Sequence, residues 1–445
     1  MACSDDDNGG TMIEQESTTV VDLAIASDDL GILVEALTSA NLVATLQGDG
    51  PFTVFAPTDE AFSAFLTANN FASLDDIPSE VLTQVLLNHV VSGKNLSTDL
   101  TTSYTTSLST AGAGGRNLSL YIDTTAGVTI NGVSNVSIPD VEADNGVVHI
   151  VDGVIGLPNI VDHAVANDNL TSLVGALTAN GNTSFTDLLS STDSDFTVFA
   201  PVNLAFSAFT NPNNNDINSV LANHVIPGTA AFSSDLANSY VTTAATNLDG
   251  DGLSQYINVD NGVTINGTSE VIVADITATN GVIHAVNAVI DLPTVVTFAT
   301  ADATFGPLVA ALTEGTPSTD FVSVLNGEGP FTVFAPSDVA FQALLDSNES
   351  WTTVADIDEV LLTSVLQHHV LAGVNVRAED LTDGISPQTL EGDAITINLP
   401  GTGDNIADIT DGAGNTGIGV IVVNVQANNG VVHVVDTVLI PDTSN

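Results

Sequence analysis

The sequence predicts a β-rich α+β protein of three tandem domains, each placing helices first and an antiparallel sheet after. Three observations predict it. Two long phrases return three times in the same order. Helix-period apolar residues precede strand-period ones in the copies. A chain of 445 residues suits three domains of about 150 residues each.

The first phrase is Phe52-Thr53-Val54-Phe55-Ala56-Pro57, followed by Ala61-Phe62. It returns at Phe196 and Phe331, 144 and then 135 residues further on. Phe-Thr-Val-Phe alternates at strand period, and Pro stops the ladder. Thr58 and Ser337 are N-cap residues, Asp59 and Asp338 suit a helix N-terminus, and Phe62, Phe206 and Phe341 then face a core. Val202 and Asn203 make a weaker cap in the second copy.

Ahead of the phrase lies an amphipathic helix carrying Leu30, Leu33, Val34 and Leu37, matched by Leu170, Leu173, Val174, Leu177 and by Phe305, Leu308, Val309, Leu312. A further helix spans about Ser79 to Val91, with Val360 to Leu371 as its counterpart. It ends in Asn88-His89-Val90, Asn223-His224-Val225 or His368-His369-Val370. The second half of each copy is rich in Val, Ile and Thr between Gly and Asn breakers, and closes on Asn145-Gly146-Val147-Val148-His149 or its copies at Asn280 and Asn429. Asn-Gly there reads as a hairpin turn. Pro158, Pro293 and Pro441 end the copies.

The domains therefore span residues 18–158, 159–293 and 294–441, with an acidic disordered tether at 1–17 and a tail at 442–445. The very short joints predict a semi-rigid rod.

Charge narrows the partners. There are 54 acidic residues against Lys94, Arg116 and Arg377, a net charge of −51. Nucleic acid is excluded, because neutralising phosphates needs many cations. Such self-repulsion predicts a saline, marine or halophilic setting. Cys3 is the only cysteine, so no intrachain disulfide forms. The start Met1-Ala2-Cys3-Ser4-Asp5-Asp6-Asp7 resembles the mature end of a bacterial surface lipoprotein, with Cys3 carrying the lipid. Contact with a membrane is expected only through that lipid.

Together the two phrases resemble the signatures of the fasciclin domain family, at about residues 18–441. The resemblance implies a compact wedge of about seven strands with helices around one end, in secreted or membrane-anchored adhesion proteins. The Tyr-His pair of animal members stands here as Asn88-His89, Asn223-His224 and His368-His369, so integrin-type binding is not carried over.

Six histidines recur in register: His89, His149, His224, His284, His369 and His433. A metal reading would pair them within each domain. The Val-Val-His-Val-Val context instead predicts buried structural rings. His163 and His368 read as surface extras. No nucleophile elbow or phosphate loop is present, so no enzyme and no cofactor are expected. The clusters Asp249/Asp251 and Asp404/Asp408/Asp411 admit only a weak Ca2+ reading, because neither fits the EF-hand pattern; solvated turns fit them better. The expected function is adhesion at an extracellular or cell surface, on a bacterial outer membrane, to matrix, glycan or another surface protein. The alternatives are a carbohydrate- or small-ligand-binding module and a passive spacer.

Overall fold

The computed structural model describes residues 18–315 and 317–443; the tether with Cys3, Thr316 and the last two residues lie outside it. Among the described residues no single helix is long and apolar enough to cross a membrane. The chain divides into two compact units. Of the described residues, the first holds those up to Asn167 with Thr277–Thr279, and the second holds Asp168–Ile276 and those from Asn280 on.

In the first repeat the helices are α1 (Val20–Ile25), α2 (Gly31–Ser39), α3 (Val43–Leu46), α4 (Asp59–Ala68) and α5 (Ser79–Asn88). Thr19 caps α1 and Thr58 caps α4, each hydroxyl accepting a backbone N–H of the first turn. The stretch expected as helix to Val91 stops at Asn88, because Val90–Ser92 forms an edge strand instead. β-branched Val90 and Val91 favour the pleated pairing.

The strands are β1 (Phe52–Pro57), β2 (Val90–Ser92), β3 (Ser103–Thr106), β4 (Ser119–Asp123), β5 (Thr129–Ile130), β6 (Ser134–Ala143) and β7 (Gly146–Val151). Their spatial order is β2-β1-β7-β6-β5-β4-β3. The α+β class is as predicted, but the sheet is mixed rather than wholly antiparallel. β1 runs parallel to β7, from Phe52 opposite Gly146 to Pro57 opposite Val151. The long connection between them, helices included, permits a parallel pair, and both faces of β1 are covered. Val54 joins the core under the helices, with Phe62, Leu86 and Val148. Phe55 joins a second core on the other face, with Leu120, Ile122, Ile130 and Val151.

The Asn-Gly phrase does not centre the hairpin turn. Ala143 pairs with Gly146, so Asp144 and Asn145 make the turn, and neither has positive φ. Asn145 is instead a buried clamp. Its Oδ1 accepts the Val20 N–H, and its Nδ2 donates to the Leu46 and Gly48 carbonyls, each at 2.8 Å. Gly146 is required because a Cβ there would overlap the Phe52 carbonyl.

The second repeat keeps the seven-strand order; the third has six strands. There the counterpart of β3 is lost, and residues near Pro387 keep only the bridge between Gln388 and Ala394. Proline cannot donate to a ladder. Within the second unit, two tyrosines of repeat two join the core of repeat three, while repeat two keeps cores of its own. Tyr256 is buried and Tyr240 half-buried among third-repeat residues such as Val295 and Phe298. The Tyr240 hydroxyl donates to Asp302 at 2.8 Å, its ring meets Phe298 edge-on, and Ser254 Oγ accepts the Gln426 N–H at 3.0 Å.

Candidate functional site

Each repeat contains one histidine at a helix end and one on a central strand. Helix geometry places the first four residues beyond a carbonyl it can reach. His89 Nδ1 donates to the Val85 carbonyl at 2.7 Å, while Nε2 accepts the Ile155 N–H at 2.9 Å. His224 repeats this with Val220 and Ile290, and His369 with Val365 and Leu439. A carbonyl can only accept and an N–H can only donate, so the Nδ1–H tautomer is fixed. Burial lowers the pKa of all three to about 4.

The second histidine takes the opposite tautomer. His149 Nε2 donates to the Asn95 carbonyl at 2.9 Å, and Nδ1 accepts the Asp140 N–H at 3.2 Å. His284 bonds in the same way to Ala231 and Asp275, and His433 to Val376 and Asn424. The rings stack on or tilt against Phe55, Phe199 and Phe334 at 5.6 Å. Burial lowers the pKa of His284 and His433. Both nitrogens of all six rings are committed to backbone groups, leaving no lone pair for a metal. Among the described residues no group of three or more metal-ligating side chains converges.

Sequence reasoning missed the partner of the strand histidine. Asp140, Asp275 and Asn424 stand nine residues before it in every repeat and adopt left-handed φ of 62°, 61° and 59°. Asp140 and Asn424 each sit at a register break in their hairpin. The Asp140 carboxylate accepts from the Ser97 N–H and hydroxyl, Asp275 does the same for Ser233, and Asn424 Oδ1 accepts the Ala378 N–H. Histidine and bulge together clamp the loop that follows the edge strand. The fixed nine-residue spacing was the signal available. Beside each clamp the bulge exposes apolar side chains: Ile138, Ile272 with Val273, and Ile421 with Val422, exposed by 39–52%.

Other expected sites resolve differently. His163 and His368 are fully buried, not on the surface. His163 meets the edge of Tyr104, and His368 accepts the Gly412 N–H and bonds Thr389. Both lie on helices at inward positions, which an isolated His in sequence does not reveal. Asp59 and Asn203 cap an earlier helix, through the Ile32 and Ser172 N–H groups, in addition to opening their own. Asp251 is tied to Arg377 at 3.0 Å, and that guanidinium also holds Asp380 at 2.7 Å. Asp408 and Asp411 are buried and accept from Asn405 and Asn415. Asp408 and Asp411 thus fasten their own turns, and Asp251 joins repeat two to repeat three. Cys3 lies outside the described residues.

A fasciclin domain model matches residues 28–158, 168–293 and 307–441. The chain belongs to the fasciclin domain family. Among relatives of these fasciclin domains, an uncharacterized Synechocystis protein, sll1735, is 40% identical over 136 residues, covering 31% of this chain and 96% of that protein. Human periostin is 23% identical over 455 residues, covering 97% of this chain and 48% of periostin. Pig transforming growth factor-beta-induced protein ig-h3 is 28% identical and covers 93% of this chain and 56% of that protein. The chain thus spans about half the length of the two animal relatives. A solved FAS1 domain pair from the insect cell adhesion molecule Fasciclin I aligns over 57% of this chain and 92% of its own, at 18% identity and TM-score 0.34.

Proposed function

We propose that this is a bacterial cell-surface adhesion protein, held on the outer membrane by a lipid on Cys3. Its three fasciclin domains make repeated weak contacts with matrix, glycan or surface proteins. The observation that carries the reading is the recurrence of an exposed apolar bulge beside the same clamp in every repeat. Single exposed apolar residues are ordinary, but the same spot kept exposed three times on a chain of net charge −51 supports a contact surface. Linked copies raise effective concentration, so each contact can be weak while the chain holds firmly. The charge favours neutral or cationic partners. Family membership supports the surface role. The commitment of all six recurrent imidazoles to backbone groups supports a non-catalytic one.

The test is attachment of the full chain to cells and matrix-coated surfaces. Ile138→Asp, Val273→Asp and Val422→Asp, made singly and together, probe the three bulges. Each single change weakens attachment modestly, and the triple variant loses it by more than about tenfold. Attachment unchanged in a folded triple variant, or after deletion of domains, sinks the reading. Cys3→Ser releases the chain from membranes if the lipid is the tether; retention there refutes that part.

A further inference from the structure

The three repeats offer an internal comparison: what all copies keep is scaffold, and what one copy alters is specialisation. In the first repeat β2 and β3 meet at the bridge between Val91 and Ser107, and Leu108 N–H donates to the Val90 carbonyl. Beyond that point the strands part and leave a half-open cavity of about 220 Å3 in the wall of the sheet. Phe55, Val91 and Ile122, all buried, line it on the apolar side, while the Tyr104 ring packs away against Tyr121 and His163. Its rim is polar: Ser92, Asn95, Asp99, Thr101 and Thr105.

The scaffold around it recurs. Thr53, Phe55, Asp99 and Leu100 correspond to Thr197, Phe199, Asp235 and Leu236, and to Thr332, Phe334, Asp380 and Leu381. Part of the rim does not recur. Pairing opposite Phe52, Phe196 and Phe331 places Ser92 in register with Pro227 and Ala372. The bond from the strand histidine places Asn95 in register with Ala231 and Val376. Thr105 corresponds to Val241 in the second repeat. On the same frame the second repeat has therefore made three rim positions apolar, Pro227, Ala231 and Val241, and the third two, Ala372 and Val376.

The rim also holds unused hydrogen-bonding capacity. Asn95 Nδ2 donates to Thr53 Oγ1 at 3.0 Å, which fixes the carboxamide. Its oxygen, and the Ser92 and Thr105 hydroxyls, form no hydrogen bond to any described residue. Among the described residues no cation lines the cavity, and Asp99 contributes a carboxylate. An anion is thus repelled. The volume lies below the roughly 300–1,000 Å3 of sites for drug-sized ligands and suits one small ring. Neutral donors and acceptors around an apolar floor match a ring with hydroxyls on its edge and C–H groups on its face.

We propose that the first repeat carries a binding site for a single neutral sugar residue, between β2 and β3, with Ser92, Asn95 and Thr105 as its hydrogen-bonding contacts. This site is separate from the bulges, and it stands whether or not they mediate adhesion.

The test titrates the full chain with the methyl glycosides of glucose, galactose and mannose, and with methyl glucuronide, by calorimetry and saturation-transfer NMR. At least one neutral glycoside binds with Kd below the order of 10 mM, a weak range for so few contacts. The double variant Asn95→Ala/Thr105→Val installs residues the second repeat already carries on this frame. It lowers affinity about tenfold, as loss of two hydrogen bonds predicts, while circular dichroism and melting stay as in the parent. Ser92→Ala, an exposed change, lowers affinity severalfold and keeps the test decisive if the double variant unfolds. Glucuronide binds more weakly than glucoside. Absence of binding by every neutral glycoside, affinity unchanged in either variant, or glucuronide binding as well as glucoside overturns the proposal.

Discussion

Acidification to pH 5.5 destabilises the second unit through histidines that the fold keeps neutral. His224 and His369 each have both ring nitrogens bonded to backbone, and burial lowers their pKa from 6.5 to about 4. The unfolded chain therefore binds more protons between these values. The stabilisation is complete above pH 6.5 and is lost as pH falls toward 4. At pH 5.5 the linkage relation gives a loss of about 1.4 kcal/mol for each ring. Trp351, the only tryptophan, packs against the third-repeat core and reports unfolding of this unit. Urea titrations followed by its fluorescence, at pH 7.5 and 5.5 in 1 M NaCl, measure the loss with surface charge screened to about 3 Å. His369→Gln removes one titrating group, so the stability difference between the two pH values shrinks by about 1.4 kcal/mol, whatever the variant costs at neutral pH. An undiminished pH difference in His369→Gln would show that this ring is not held neutral, and would refute the tautomer assignment.

Three further outcomes follow from the geometry. Asn145→Ala strands the buried Val20 N–H and two carbonyls, and lowers stability of the first unit by about 2–4 kcal/mol in urea titrations. Gly146→Ala forces β1 away from β7 and lowers the Tm by more than Asn145→Ala does, as calorimetry can check. Melting temperature rises steadily with NaCl, because −51 charges repel at low ionic strength; a flat response would remove the saline reading.

Much of the fold was legible because periodicity is local. The Phe-Thr-Val-Phe-Ala-Pro strand, its following helix and the Val-His strand each announce themselves within a dozen residues. What was not legible was long-range. Nothing in β1 or β7 alone states that they run side by side in one direction. Asn145 reads as a turn residue because Asn-Gly usually is one, and its real partners lie about a hundred residues away. Asp59 likewise looks like a cap for its own helix, while its Oδ1 reaches the earlier helix at Ile32. The helix-end histidines could be read as interior from their apolar context. His163 and His368 could not, since neither recurs in register. The bulge Asp and Asn residues were visible as a fixed nine-residue offset, but only a structure gives that spacing its meaning.

The tyrosine pair of repeat two, seated in the core of repeat three, sets how these modules can be handled and how they bear load. A cut between residues 293 and 294 would leave Tyr240 and Tyr256 without their apolar neighbours and Asp302 without its hydroxyl donor. The last two fasciclin domains should therefore travel together in any shuffling of modules, natural or engineered. Pulled from its ends, that pair would first have to withdraw the two tyrosines from their seat before either domain could swing free of the other.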